Sequence, residues 1–162
     1  MPGNMVVMIG LQGSGKSTFY EKYLAAEYVR VNLDTLKTRH RESILLEECL
    51  VQGKNFAVDN TNPTRADRAR YIPPAREKGY RIIGYFMAAG VRECIGRNSL
   101  RTGKARVPDI AIAATAKKLE IPSFDEGFDE LYAVKNDGTT MTVHPWMPLP
   151  ESGSFSPEES LP

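Results

Sequence analysis

Residues Gly10 to Ser17 read G-L-Q-G-S-G-K-S, the full G-x-x-x-x-G-K-[ST] pattern of a phosphate-binding loop. Gly10, Gly13 and Gly15 let the backbone turn back on itself and bring its N–H groups against phosphate oxygens. Lys16 carries a mobile positive charge to the β- and γ-phosphates, and the Ser17 hydroxyl suits a Mg²⁺ ligand. Ser14 and Thr18 complete the group expected around the phosphates, where the start of the following helix adds its positive field. The pattern implies a bound nucleoside triphosphate, ATP with Mg²⁺.

Two carboxylates and two basic clusters follow. Asp34 comes directly after a short strand-like run, Y-V-R-V-N-L. It can cap the next helix, or it can accept the proton that an alcohol must lose on attacking a γ-phosphate. Asp59, in V-D-N-T-N-P, can hold Mg²⁺ or its water shell or orient the acceptor. A plain Asx-turn made by Asn60 and Asn62 is the competing reading. Arg65, Arg68 and Arg70 come next, where a guanidinium suits a phosphate on the acceptor. The run R-N-S-L-R-T-G-K-A-R-V-P, from Arg97 to Pro108, reads as a glycine-hinged lid. Its Arg97 and Arg101 would neutralise charge on the transferring group as the lid closes. His40 and His144 have no partners in sequence that suggest a catalytic pair.

These residues need a frame, and the chain alternates strand and helix signals throughout. Strands are expected at residues 5–9, 28–32, 55–58, 80–87 and 131–134. Helices are expected at 16–26, 35–52, 65–78, 91–100 and 109–119, with Gly53 and Gly79 as stops. Such alternation predicts an α/β fold of the P-loop NTPase kinase type, a parallel sheet flanked by helices on both faces. The phosphate loop then lies at the carboxyl edge of the sheet, where such folds bind ligands. Residues 1–144 are expected to form this domain, and the Pro- and Ser-rich residues 145–162 a mobile tail in which Trp146 can still dock.

The net charge of +1 hides a strong asymmetry. Residues 65–106 hold eleven Lys and Arg against three Asp and Glu, whereas residues 120–162 hold nine acids against Lys135 alone. Solvated helix faces would use part of the basic stretch, and a polyanion, either ATP or an anionic substrate, the rest. Cys49 and Cys94 lack metal-ligand spacing and read as apolar fillers on helices, so a reduced, cytoplasmic protein without a membrane segment is expected.

Taken together, G-L-Q-G-S-G-K-S, V-N-L-D-T-L, V-D-N-T-N-P, R-A-R-Y and R-N-S-L-R-T-G-K-A-R-V-P resemble the kinase domain of polynucleotide 5′-hydroxyl kinases. L-E-I-P-S-F-D-E-G-F-D-E-L continues the resemblance to about residue 135. It implies Asp34 as general base for a 5′-hydroxyl, and Arg101, with Arg97 nearby, on the ATP phosphates. It further implies Asp59, Lys37 and Arg70 on the substrate side. Leu33 and Lys37 each stand where members of that family often carry arginine. The reading is a stand-alone kinase acting on the 5′ end of DNA or RNA. A kinase of a small alcohol (sugar acid, nucleoside or antibiotic) and a non-catalytic ATP-binding module are the alternatives.

Overall fold

In Met5-Val6-Val7-Met8-Ile9 every position is apolar, which suits a strand covered on both faces. In the computed structural model, which describes residues 2–147, strand β1 (Asn4–Ile9) is accordingly the centre of the sheet, and these five side chains are fully buried. The other strands are β2 (Val29–Val31), β3 (Phe56–Val58), β4 (Arg81–Met87), β5 (Glu130–Asn136) and β6 (Met141–Pro145). Their order is β2-β3-β1-β4-β5-β6. The first five run parallel, and β6 lies antiparallel to β5 along the edge.

The two-residue period of β1 divides the core. Met5, Val7 and Ile9 pack with Cys49, Tyr71, Ile72 and Phe128 on one face, and Val6 and Met8 with Phe19, Tyr20 and Leu24 on the other. A third cluster, Leu11, Cys94 and Ile112, ties the phosphate loop to α6 (Val91–Ser99) and α7 (Asp109–Lys118). Both cysteines are buried and unpaired.

Three expected helices are interrupted. The first is α1 (Lys16–Phe19) followed by a wider π-helical turn, Tyr20–Leu24, in which the Ala25 N–H reaches the Tyr20 carbonyl. The second is split into α2 (Leu33–Leu36) and α3 (Arg39–Gln52) by Lys37, whose φ of 78° no helix accepts. Thr38 then caps α3, its hydroxyl accepting from the Arg41 N–H at 3.1 Å. The third becomes α4 (Arg65–Arg68) and α5 (Ile72–Glu77), because Pro73 and Pro74 offer no N–H and fit only a first turn.

Part of the charge asymmetry is internal. Arg65 pairs with Asp125 at 3.0 Å, Arg76 with Asp129 at 3.4 Å and Arg81 with Glu130 at 2.6 Å. Arg68 has no exposed surface and grips Glu126 with two parallel bonds of 2.7 and 3.0 Å, its third arm on the Asn62 carbonyl. Four of the arginines expected to face solvent or a polyanion instead fasten the middle of the chain to its acidic end.

The antiparallel β6 was not expected, since its residues border the predicted tail. Trp146 docks edge-on against Phe86, and its backbone N–H donates to the Leu131 carbonyl at 3.0 Å. The rest of the predicted tail, residues 148–162, lies outside the described residues.

Candidate active site

A loop can cradle an anion only if its backbone is held in place, and three neighbours hold this one. The Gly10 N–H donates to the Thr61 carbonyl at 3.0 Å. Gly13 has φ 83°, and a β-carbon there would stand 2.5 Å from the Cys94 carbonyl oxygen, so α6 packs directly on the loop backbone. Arg97 clamps the outside, donating to the Gly13 and Asn136 carbonyls at 3.3 and 2.8 Å. Its role in the structure is therefore to brace the loop, and it does not line the cavity. Ser14 is buried, its Oγ without a hydrogen-bond partner, as is the Gln12 Oε1.

An open cavity of about 570 Å³ lies before the loop at the carboxyl edge of the sheet. Lys16, Ser17, Asp34, Asp59 and Arg101 all line it, with Gly13, Gln12, Asn32, Asn60, Thr61 and Lys104. Lys16 donates to the Gly10 and Leu11 carbonyls at 2.9 and 2.8 Å, which leaves one of its three N–H groups free for a ligand. Burial lowers its pKa to about 8, and the Asp59 carboxylate opposes that fall.

Asp34 is exposed at the rim, and it does not cap the helix that carries it. Asn32 does so, its Oδ1 accepting from the Thr35 N–H at 3.1 Å. The Asn32 amide also donates to the Asp59 carbonyl at 2.6 Å, locking the end of β2 to the end of β3. Relieved of capping, the Asp34 carboxylate is available to an acceptor.

Asp59 is almost wholly buried and ion-paired to Arg30. The following asparagines do more than close a local turn. Asn60 accepts from the Leu33 N–H at 3.0 Å and donates to Glu42 at 3.2 Å, fixing the start of α2. Asn62, at φ 45°, donates to the Met8 carbonyl at 2.7 Å across the sheet. Arg101 lies past the end of α6 and reaches the Ala105 carbonyl at 3.4 Å, within the short lid turn Gly103–Ala105.

Of the substrate-side candidates, Asp59 lines the cavity and Lys37, which is exposed, does not; Thr18, expected at the phosphates, is likewise exposed and off the cavity. Arg70 borders a separate groove with Glu42, Leu46, Tyr71 and Pro74. Gly10, Ser14 and Gly15 build the loop behind the cavity wall. Sequence reasoning missed Arg30, Asn32 and Lys104; only Asn32, in the β2–Asp34 junction V-N-L-D, had a recognisable capping signal.

The residues fit Mg²⁺ carried on phosphates. One nitrogen of Arg30, Nη2, touches both the Ser17 Oγ at 2.9 Å and the Asp59 Oδ2 at 2.8 Å, so the two oxygens already converge on a cation. Among the described residues no cluster of three or more His, Cys, Asp or Glu could hold an ion alone, so an ion here would take its remaining ligands from phosphate oxygens and water.

A family model described as an AAA domain matches residues 5–122. A protein of Acanthamoeba polyphaga mimivirus, provisionally named a bifunctional polynucleotide phosphatase/kinase, is 34% identical over 137 residues. That match takes in 80% of this chain and 32% of the other. The bifunctional polynucleotide phosphatase/kinase of Schizosaccharomyces pombe is 31% identical over 134 residues, 80% of this chain and 33% of that one. The chain thus spans about a third of the length of these curated relatives. Among solved structures, a gluconokinase from Sinorhizobium meliloti 1021 superposes with a TM-score of 0.54 at 21% identity, covering 83% of this chain and 82% of that one. Among the described residues no helix is long and apolar enough to cross a membrane.

Proposed function

Because the chain belongs to the AAA-domain family and folds as a P-loop kinase, we propose that it transfers the γ-phosphate of ATP to a 5′-hydroxyl of DNA or RNA. The observation that carries this reading is the shared cavity. An anion-binding loop with its lysine and a carboxylate free of structural duty open onto the same space. The names of the two polynucleotide relatives favour a nucleic-acid acceptor.

In this reading Asp34 accepts the proton of the acceptor hydroxyl as that oxygen bonds to the γ-phosphorus and the bond to the departing ADP oxygen breaks. Lys16 and the loop N–H groups hold the β- and γ-phosphates in line, and Arg101 with Lys104 closes over them and excludes water. Ser17 and Asp59 would hold Mg²⁺, which when bound neutralises phosphate charge.

A small-alcohol acceptor is the second reading. It is favoured by the position of Lys37 and Arg70 outside the cavity and by the internal pairing of four nearby arginines. The deciding assay measures transfer of labelled γ-phosphate to a short 5′-hydroxyl DNA, a matching RNA and a panel of small alcohols. Label on an oligonucleotide is expected, label only on a small alcohol selects the second reading, and label on nothing leaves an ATP-binding module. Asp34→Asn should lower kcat by about 10²–10⁴ while nucleotide affinity stays within about twofold. An unchanged kcat would remove Asp34 from the chemistry.

A further inference from the structure

Arg30 has no counterpart in the roles assigned above, yet it sits at the most charged point of the site. It projects from β2 with two of its nitrogens on one Asp59 oxygen, both at 2.8 Å. The Nη2 also donates to the Ser17 hydroxyl, and the guanidinium lies 5.6 Å from the centre of the Tyr20 ring. The two side chains suited to a metal ion are therefore already joined by an organic cation. The Arg30 side chain is 30% exposed and that of Asp59 only 1%; Ser17 and Asp59 line the cavity and Arg30 does not, so the guanidinium meets both oxygens from beside it while the carboxylate stays fixed.

We propose that Arg30 is a resident counter-cation of the divalent-metal site, which holds Ser17 and Asp59 in place before nucleotide binds and competes with Mg²⁺ for them. This rests on the reading of the cavity as a metal–nucleotide site. A metal ion ligated by the Ser17 oxygen takes over the lone pairs that now accept from Nη2, and a guanidinium cannot remain that close to a divalent ion without strong repulsion. Arg30 must then swing off Ser17, and the Tyr20 ring over which its guanidinium already lies can keep hold of the cation as it moves. Two consequences follow. Nucleotide without metal is tolerated, because a positive group is already present. Metal is bound more weakly than the two oxygens alone would allow.

The test uses a fluorescent ATP analogue on the whole chain, titrated in EDTA and then with increasing MgCl₂, with free Mn²⁺ followed by paramagnetic resonance in a parallel series. In the native chain, binding in EDTA should be within about tenfold of binding in saturating Mg²⁺. Arg30→Gln should lower the Mg²⁺ and Mn²⁺ concentrations for half-saturation by about tenfold, far less than an unscreened charge would cause at this distance. It should also weaken binding in EDTA. Arg30→Lys, which keeps the charge but loses the planar fork, should fall between the two. An unchanged or raised half-saturation in Arg30→Gln overturns the proposal. If that variant does not fold, native binding in EDTA more than about a hundredfold weaker than in Mg²⁺ overturns it instead. A native chain that binds no nucleotide under either condition defeats the kinase reading itself, and this proposal with it.

Discussion

Lys16 combines the strongest constraint with the greatest leverage of any single residue. Its burial holds the ammonium pKa at about 8, well under the ordinary lysine value near 10. The sign is the reverse of a stabilising ion pair. Between about pH 8 and pH 10 the unfolded chain binds more protons here than the folded one, so this group's contribution to stability rises with pH across that window. Triphosphate binding has the opposite preference, since the phosphates attract the charged form. At pH 9 nucleotide binding should therefore take up a proton, and affinity should fall by up to about tenfold per pH unit above pH 8. Calorimetry in two buffers of different ionisation heat measures this, and identical heats would contradict it. The phosphate loop was legible as a sequence because the spacing of its glycines, lysine and serine is local. Arg30 was not, since its importance depends on β2 and β3 running side by side, a non-local fact. The paired use of Asn32 as cap and strap was hidden for the same reason.

At the scale of elements, the existence and approximate positions of strands β1 to β5 could be read from apolar runs and glycine stops, although their order in the sheet could not. Three of the five helices were read as continuous where the structure breaks them, and the other two matched within a residue. Continuous helical propensity gives no warning that Lys37 adopts a left-handed conformation or that a π-turn widens the helix after Phe19. The prolines of I-P-P-A-R-E did carry the warning for the third break. The most consequential packing is that of α6 on the phosphate loop. Gly13→Ala would place a β-carbon in a left-handed backbone, at a cost of about 1–2 kcal/mol, and also into the Cys94 carbonyl. The loop must then lift off α6 and give up the Arg97 clamp. Nucleotide affinity should fall by about tenfold or more, with a lowered melting temperature, both measurable by titration and thermal unfolding. Unchanged affinity would mean that the loop is not held by α6.

Over the whole molecule, four of the eleven basic residues of the middle region are spent on the acidic end. Their value depends on burial. Arg68→Ala leaves the buried Glu126 carboxylate with only the Ser123 N–H and an Arg65 guanidinium 3.7 Å away, and should cost about 3–5 kcal/mol in urea unfolding. Arg81→Ala, at an exposed pair, should leave the urea midpoint close to that of the native chain. Equal losses would imply that the pairs act as a network. This closure could not be foreseen from charge counts, which record how many charges a region holds and not which way they face. The antiparallel edge escaped for a related reason, because M-T-V-H-P is a strand only when β5 is beside it. That edge ends in the chain's one tryptophan, seated on Phe86, on the sheet face opposite the Met87 side chain that backs Gly10. The protein thus contains an intrinsic fluorophore on that face, able to report undocking of the edge strand without any label.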